Sequence, residues 1–377
     1  MIEDRAEIEV RPVSGRRDFS RFIDFPYERN AADPHWVPPL RLSERERLTP
    51  GKNPFFAHAD VQLLLAWRDG RVAGRIAAID DRLHEAAHHD NVAMFGFFEA
   101  ADAGATAALL RAVEAWAQAR GRGAVRGPLN PSLNESAGLL VDGFDTDAAV
   151  MMPHNPREYA GFIEAAGYRK VKDLYAWLYD LANPVPAVVA HAGQRQRERR
   201  GIVVRPLQLS EFTREIEWVR AIYCSAWEHN WGFVPPTPEE FKRIATELKP
   251  IFDPRCAVCA EVGGRPVACA IAIPDINQAL KGTGGRLLPL GIIRLLGRKR
   301  YIDQIRLMLL GVEAPYRNLG LYPIMLFEVL HRRIAGSPYR RAELSWVLED
   351  NRAVNEAAER FGARRYKTYR IYQRAIG

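Results

Sequence analysis

The residues Leu309–Tyr322 combine features that can bind an anion. An apolar strand, a short loop and the start of a helix follow one another in this stretch. The first N–H groups of a helix have no acceptor within it, so they can hold a phosphate group. Arg317 adds a fixed positive charge, and Gly320 allows the backbone to approach a ligand closely. The pattern predicts a pyrophosphate site; an ordinary strand-to-helix connection is the alternative.

A second cluster, Trp227–Phe233, carries groups that can exchange protons. Glu228 and His229 lie between two indoles in the sequence. Aromatic side chains can exclude part of the solvent from a cleft, and such a cleft can shift the pKa values of the groups in it toward those needed for proton transfer. We predict that Glu228 or His229 acts as a general base. The alternative is a structural turn in which His229 satisfies backbone groups. The predicted substrate-binding residues of this cluster are Trp227, Asn230 and Trp231.

Polar residues near the ends of central strands are further candidates. Glu349 and Glu313 each follow a predicted strand, at the edge where ligands collect in open α/β sheets. Either side chain could instead be an exposed loop carboxylate. We take Glu349 as a third predicted catalytic residue. Asp275 and Asn277 could hold a substrate amine or hydroxyl, although such residues after a proline also form plain turns.

The elements that must position these residues occur twice along the chain. Three short segments recur at an offset of 194 or 195 residues, and such self-similarity indicates a repeated architecture. The alternative is a coincidence of strand and turn composition. The matching segments are Val10–Pro12 with Val204–Pro206, Gly70–Arg71 with Gly264–Arg265, and Glu164–Tyr168 with Glu359–Ala363.

Each copy is predicted to contain a strand, a helical region, a hairpin, a strand, a long helix, another strand, a second helix and a terminal hairpin. This order predicts an α/β fold with a mixed sheet, built twice. We predict a first domain over residues 1–182, a linker over 183–201 and a second domain over 202–377. The linker's basic run, Arg195–Arg200, is expected to be a solvated charged segment. Insertions at 131–155 and 274–303 are long enough to be functional.

Composition limits the classes of protein that the chain can be. The 377 residues carry 53 Lys and Arg against 46 Asp and Glu, a net charge of +7, which permits anionic partners. The basic residues are dispersed, so nucleic acid is not an expected partner. Cys256 and Cys259 have no second pair, so we expect buried thiols and no metal site. The acidic amino terminus predicts no secretory signal and a cytoplasmic protein.

The segment Val312–Tyr322 resembles the coenzyme A pyrophosphate motif of the GNAT superfamily of acyltransferases. In that motif a valine ends the central strand and an Arg-x-x-Gly-x-Gly/Ala loop opens the next helix. Here Tyr322 replaces the last small residue of the motif. The resemblance continues over Asn351–Gly362, where Ala358 occupies the position that often carries a proton-donating tyrosine. It implies acyl-CoA as co-substrate. The implied cofactor-binding residues are Val312, Arg317, Asn318, Leu319, Gly320, Leu321, Tyr322 and Asn351.

The first half carries the matching strand but not the matching loop. Gly96–Ala100 parallels the residues around Val312, whereas Ala101–Gly104 lacks the arginine and is acidic. We therefore expect two tandem GNAT-like domains, of which the first is degenerate. The resemblance also implies that backbone amides near Val312 stabilise the oxyanion of a thioester.

The insertion in the second half interleaves bulky aliphatic residues with Arg and Lys over Ala279–Arg300. Such a segment could lie in a membrane interface or cover an acyl chain. Its alternative is a helix packed on the core with a basic outer face. With the segments Trp227–Phe233 and Pro274–Asn277, this insertion also resembles bacterial ceramide synthases less specifically, which implies a long-chain lipid amine as acceptor.

The expected function is an acyl-CoA-dependent N-acyltransferase acting on a sphingoid-type amine, associated peripherally with the anionic inner membrane surface. Two alternatives stay open. One is an acetyl-CoA-dependent enzyme with a small polar amine as acceptor. The other is a non-catalytic acyl-CoA or lipid sensor, which the alanine at position 358 would suit.

Overall fold

A computed structural model describes residues 7–184 and 201–377. Contacts divide the chain into two compact units. The first unit contains the residues up to Leu174, with Leu280–Leu287 and Lys367–Gly377; the second contains Tyr175–Ala279 and Leu288–Tyr366. Most of the predicted linker, including the basic run Arg195–Arg200, lies outside the described residues. The domain boundaries read from the sequence remain a prediction.

Strands follow the predicted order up to the end of each half, where one continuous strand of 12 residues, Arg169–Asp180 or Arg364–Ala375, replaces the predicted terminal hairpin. Neither segment contains a glycine or proline that would turn the chain. In chain order the strands are β1 (Glu9–Pro12), β2 (Ala59–Arg68), β3 (Arg71–Asp81), β4 (Val92–Ala100), β5 (Ala124–Gly127), β6 (Leu129–Asn130), β7 (Ser136–Ala137), β8 (Leu139–Asp142), β9 (Arg169–Asp180), β10 (Ile202–Pro206), β11 (Ala257–Val262), β12 (Arg265–Pro274), β13 (Gln304–Val312), β14 (Arg341–Leu348) and β15 (Arg364–Ala375).

Helices connect these strands. They are α1 (Gly15–Arg29), α2 (Arg41–Arg47), α3 (Arg82–His88), α4 (Ala103–Gln118), α5 (Tyr159–Ala165), α6 (Phe212–Trp227), α7 (Pro238–Leu248), α8 (Asn277–Leu280), α9 (Leu290–Leu296), α10 (Arg298–Tyr301), α11 (Leu321–Phe327) and α12 (Arg352–Arg360). Short 3₁₀ turns lie between them, and a wide π-type turn, Glu328–Arg332, continues α11.

The sheet of the first unit runs in the order β1-β2-β3-β4-β5-β15. β4 and β5 are parallel, and the other neighbours in this order are antiparallel. The β2–β3 hairpin turns at Asp69 and Gly70, which both adopt the left-handed conformation that matches strand twist. Helix α4 packs its buried face, including Leu109 and Val113, on this sheet.

The second unit repeats this plan with β10 to β14 in the order β14-β13-β12-β11-β10. Its β11–β12 hairpin turns at Gly263 and Gly264, again with left-handed backbone. β13 and β14 are parallel. Helix α11 packs against this sheet through fully buried side chains such as Leu321 and Met325.

The last strand of each half, β9 or β15, shows the repeat most clearly. β9 and β15 both span 12 residues, and Arg169 and Arg364 begin them 195 positions apart. β15 completes the sheet of the first unit beside β5, although it ends the second half of the sequence. β9 neighbours β14, so the end of the first half supplies a strand to the second unit. The α/β fold, with a mixed sheet built twice, is confirmed.

Candidate active site

A cavity of about 610 Å³ opens in the second unit where β13 and β14 diverge. The parallel ladder pairs four residues of each strand, from Gln304 opposite Arg341 to Leu307 opposite Leu344. Beyond it, both strands line the cavity. The residues that do so are Met308 and Leu310 from β13 and Ser345, Trp346, Val347 and Leu348 from β14.

A buried ion pair lies at the base of this divergence. Arg306 and Glu343 face each other in the ladder, and the Arg306 Nε donates to the Ser345 hydroxyl at 2.9 Å. Glu343 is completely buried and accepts from Ser345 and from Tyr366. Breaking a buried, hydrogen-bonded pair of this kind is strongly destabilising. The network therefore fixes the last paired residues of the two strands.

The hydrogen-bond pattern of β13 directs one backbone amide toward the opening. The Glu313 N–H donates to the Val267 carbonyl at 2.9 Å, so these two residues form a hydrogen-bonded antiparallel pair. Because such pairs alternate along a ladder, the next pair, Val312 opposite Ala268, is not hydrogen-bonded. The Val312 N–H therefore points away from β12, toward the edge from which β14 diverges.

We call the segment Val312–Tyr322, which links β13 to α11, the phosphate loop, after the pyrophosphate site that its sequence predicts. Ala314–Leu319 forms a 3₁₀ helix, and Gly320 takes the left-handed conformation (φ 69°) just before α11 begins. Leu321 is fully buried and anchors the helix start. Leu319 and Gly320 are half-buried, and Asn318 is exposed.

Arg317 ties this loop to the end of α6. Its Nη2 donates to the carbonyl oxygens of Ser225 and Ala226, both at 3.2 Å. These carbonyls belong to the last turn of α6, where the helix dipole favours a cation. Arg317 and Tyr322 both line the cavity. Among the described residues, the Nε and Nη1 donors of Arg317 stay available to a ligand.

Helix α12 brings the predicted residue Asn351 to the opposite wall. The Asn351 side chain caps α12 by accepting from the Val354 N–H at 3.3 Å, and the residue lines the cavity. Asn355 holds the same helix to its surroundings, donating to the Leu348 carbonyl at 2.9 Å and accepting from the Trp177 indole at 3.0 Å. These hydrogen bonds hold α12 next to the end of β14.

The end of α6 forms a third wall. Trp227, His229, Asn230 and Trp231 line the cavity. Gly311 of β13 permits this approach, because a Cβ there would lie 2.7 Å from the Trp227 ring and 3.2 Å from the Ala226 Cβ. Glu228 is exposed at the carboxyl end of α6 and is not part of the cavity wall.

The remaining predicted site residues lie elsewhere. Asp275 is buried in a turn, where its carboxylate accepts from the Asn277 N–H at 3.2 Å and from the Gln304 amide at 3.2 Å. Glu349 is half-buried just after β14. Glu313 is bound by Arg265 at 2.8 Å. Of the predicted residues, the cavity wall therefore includes Arg317, Tyr322, Asn351, Trp227, His229, Asn230 and Trp231. Val312, Asn318, Leu319, Gly320 and Leu321 belong to the same loop but do not line the cavity, and these carboxylates lie outside it.

Tyr179 is a cavity residue that the sequence reasoning missed. It precedes the predicted linker and was counted with the first half, yet β9 carries it into the second unit. Its hydroxyl is 2.9 Å from the His331 Nε2. The sequence feature that could have indicated its importance is the repeat itself, because an offset of 195 residues aligns β9 with β15.

Three of the four cysteines, Cys256, Cys259 and Cys269, are buried, and Cys224 is half-buried. Cys256 and Cys259 are free, and burial raises the pKa of each thiol to about 12. A thiol of that pKa is protonated at neutral pH and is a poor nucleophile. Within residues 7–184 and 201–377, no group of three or more metal-ligating side chains is found.

The corresponding opening in the first unit is occupied by the chain itself. β4 and β5 pair over three residues, and β6 then lies against β4. The Asn130 side-chain oxygen accepts from the Phe97 N–H at 2.5 Å. Gly96 permits this contact, because a Cβ there would lie 1.7 Å from the Leu129 carbonyl oxygen. The first copy is therefore degenerate at the position of the site.

No protein family model matches the chain. Two curated relatives cover almost all of it. A protein named bacterial ceramide synthase, from Caulobacter vibrioides (strain NA1000 / CB15N), is 38% identical over 379 residues, which span 98% of each chain. Protein YghO from Escherichia coli (strain K12) is 35% identical over 375 residues, or 97% of this chain and 95% of its own.

Solved structures share the fold at low identity. The tandem GNAT protein from the clavulanic acid biosynthesis pathway has a TM-score of 0.59 at 14% identity, covering 98% of this chain and 99% of its own. A GCN5-related N-acetyltransferase from Sphaerobacter thermophilus has a TM-score of 0.51 at 16% identity, covering 100% and 97%.

Fold and cavity together define a tandem GNAT architecture, as the sequence predicted. The expected enzyme class, acyltransferase, is also confirmed. The chain belongs to the family of the bacterial ceramide synthase. Among the described residues, no helix has the length and apolar character needed to span a bilayer.

Proposed function

We propose that the chain transfers a fatty acyl group from acyl-CoA to the amine of a long-chain, sphingoid-type base. One observation carries the proposal: a single cavity is bounded by the phosphate loop, the diverging strands and the Trp227–Trp231 segment. The name and full-length similarity of the Caulobacter vibrioides relative support the lipid amine as acceptor.

The phosphate loop and α12 fit the coenzyme part of the donor. Backbone N–H groups at the start of α11 and the free donors of Arg317 suit a diphosphate. Asn351 offers an amide at the facing wall. Gly320 leaves the backbone of the loop accessible at the point where a phosphate would approach. Val312, Asn318, Leu319 and Leu321 contribute through their backbone and by anchoring the loop.

The acyl transfer uses groups along the cavity wall. The neutral amine nitrogen attacks the thioester carbon, the N–C bond forms, and the C–S bond breaks. The Val312 N–H, directed toward the opening, stabilises the oxyanion; one such donor is worth about 10²–10³ in kcat. His229 accepts the proton that the amine loses.

The departing thiolate must gain a proton. The position expected to carry a proton-donating tyrosine is Ala358, so another group must act as the donor. Two phenols line the cavity, Tyr179 and Tyr322. Burial raises the pKa of both side chains, so both are protonated at neutral pH and able to donate. We propose that Tyr322 returns the proton, because it lies at the phosphate loop, whereas Tyr179 is bonded to His331 near the other end of α11.

An exposed strip, Leu288–Tyr301, supports a membrane-bound acceptor. Leu288, Ile293 and Leu296 are 69%, 60% and 82% exposed, and the strip contains four basic residues and no acidic one. Exposed apolar side chains interleaved with cations suit the interface of an anionic membrane. We propose that the strip rests on that surface while the enzyme acylates a lipid amine.

A product assay tests the function. Purified protein is incubated with palmitoyl-CoA or acetyl-CoA and either sphinganine or a small polar diamine, and products are resolved by mass. The proposal expects an N-palmitoyl sphingoid base with equal release of thiol. Acetylated diamine as the main product would favour the small-amine alternative, and tight thioester binding without product would favour the sensor.

A further inference from the structure

The cavity continues from the phosphate loop into an apolar space between α11 and α12. Leu326 and Leu330 line it from the α11 side, and Ala357, Ala358 and Phe361 line it from the α12 side. Positions three or four apart lie on one face of a helix, so each set forms a continuous wall. We call this space the apolar limb; all five side chains are uncharged.

The apolar limb follows α11 away from the phosphate loop. Tyr322, Leu326 and Leu330 lie four residues apart and all line the cavity. At 1.5 Å per residue, Leu330 is about 12 Å further along the helix axis than Tyr322. The cavity therefore runs along the axis of α11, into the apolar core of the second unit to which Leu326 and Leu330 belong.

Small side chains provide the room on the α12 wall. Ala358 is 6% exposed and belongs to the same core cluster as Leu330, yet it borders the cavity. Protein interiors are close-packed, so a cavity beside two alanines marks space that the chain leaves for a ligand or for water. The uncharged lining disfavours water, because a buried water needs two to four polar partners.

The polar groups at the far end of the limb are already bonded to each other. Tyr179 lies beside the end of α11, with its hydroxyl 2.9 Å from the His331 Nε2 and donating to the Asn183 carbonyl at 3.4 Å. Burial lowers the pKa of His331, which keeps the ring uncharged at neutral pH. This end therefore presents no charge to a ligand in the limb.

We propose that the apolar limb binds the hydrocarbon tail of the donor's acyl group, and that Ala358 sets how long and bulky a chain is accepted. The inference rests on the proposed function, since it takes the thioester carbon to lie between β13 and β14. The ligand class is a long, unbranched acyl chain, which gains affinity with each methylene removed from water.

Binding of a series of thioesters tests this without any acceptor. Affinities of coenzyme A, acetyl-CoA, octanoyl-CoA and palmitoyl-CoA are measured by calorimetry for the native protein and for Ala358→Leu. The native affinity should rise with chain length. In the variant, the palmitoyl-to-acetyl affinity ratio should fall by about tenfold, the equivalent of two buried methylenes, with free coenzyme A bound as before.

Two controls keep the result interpretable. Glu359→Leu adds the same side chain at an exposed position of α12 and should leave the ratio unchanged. Ala357→Leu, at a half-buried position of the same wall, replaces Ala358→Leu if that variant fails to fold.

A native affinity that is independent of chain length would overturn the inference. So would an equal loss for coenzyme A and every thioester, because the limb would then hold the coenzyme itself. The failure of the proposed function looks different: chain-length-dependent binding would persist while no amine is acylated.

Discussion

The Phe97 N–H donates to the side-chain oxygen of Asn130 at 2.5 Å, in the first copy of a fold whose second copy has an open cavity beyond the paired part of β13 and β14. At the repeat offset of 194 residues Ala73 matches Val267, so the Ala101 N–H that donates to the Ala73 carbonyl matches the Glu313 N–H that donates to the Val267 carbonyl. Ala100 is therefore the counterpart of Val312, and Phe97 lies three residues earlier in β4. In the first unit the Asn130 side chain occupies the space beyond the paired part of β4 and β5, whereas in the second unit the space beyond the paired part of β13 and β14 is a cavity. The two copies therefore differ in whether the opening is filled.

Arg317→Ala should weaken the binding of coenzyme A by about 1–3 kcal/mol, as expected for the loss of a charge-assisted contact to phosphate. Some of the loss will reflect the loop itself, since Arg317 also bonds Ser225 and Ala226. Calorimetric titration measures the effect. Arg360→Ala, which removes an exposed cation on α12, is the matched control. An unchanged affinity in Arg317→Ala would mean that the diphosphate binds elsewhere.

His229→Ala should lower kcat by about 10²–10⁴, the range for loss of a general base, while KM for the thioester changes little. Its neighbour provides the control. Glu228→Gln should leave kcat close to the native value, because Glu228, unlike His229, does not line the cavity. Steady-state kinetics with the preferred amine measure both. A large loss in Glu228→Gln with an active His229→Ala would reverse the assignment of the base.

Replacing Ile293 and Leu296 together by serine should weaken binding to anionic vesicles by about tenfold or more, since both exposed side chains would otherwise enter the interface. Co-sedimentation with phosphatidylglycerol vesicles at low and high salt gives the measurement. Val203→Ser, at an apolar position that is 56% exposed in β10, is the control. Equal sedimentation of the double variant and the native protein would remove the strip from membrane binding.

Asp102→Asn should destabilise the first unit at neutral pH, because the Asp102 carboxylate accepts from Arg68 at 2.6 Å and caps α4 through Ala105 at 3.0 Å. These bonds lower the pKa of Asp102 from 3.8 to about 2. The side chain is 42% exposed, so solvent screening limits the loss to about 1 kcal/mol.

The sign of the pH dependence follows from this lowered pKa. The carboxylate's contribution is present above its unfolded pKa and disappears as pH falls toward about 2. Urea unfolding should therefore show the variant converging with the native protein between pH 4 and pH 2. Asp69→Asn, in the adjacent turn, is the control. A difference in stability that does not change with pH would contradict the electrostatic explanation.

The local geometry of the phosphate loop could be predicted from its residues. The predicted order of strand, loop and helix start is observed, with Gly320 directly before α11 and Arg317 at the cavity. Local rules suffice there because a strand end, a short turn and a helix start are set by neighbours in sequence. The repeat likewise predicted the α/β fold built twice, with matching hairpins in both halves.

Features that depend on distant parts of the chain could not be predicted. Tyr179 reaches the cavity because β9 joins the second unit. The residues of a strand do not by themselves determine which other strand it pairs with. Asp275 forms a turn through Gln304, a residue 29 positions away. Glu228 and His229 are both exposed neighbours, yet only His229 lines the cavity, because α6 ends at Trp227 and the path of the chain beyond it depends on the packing of the unit.

The most direct test is a crystal structure of the protein with a non-hydrolysable thioether analogue of palmitoyl-CoA. The account predicts one analogue per chain, bound in the second unit. Its diphosphate should contact Arg317 and the N–H groups that open α11, its carbonyl should face the Val312 N–H, and its tail should follow the apolar limb. An analogue whose diphosphate lies away from the phosphate loop, or one that displaces Asn130 from Phe97 in the first unit, would contradict it.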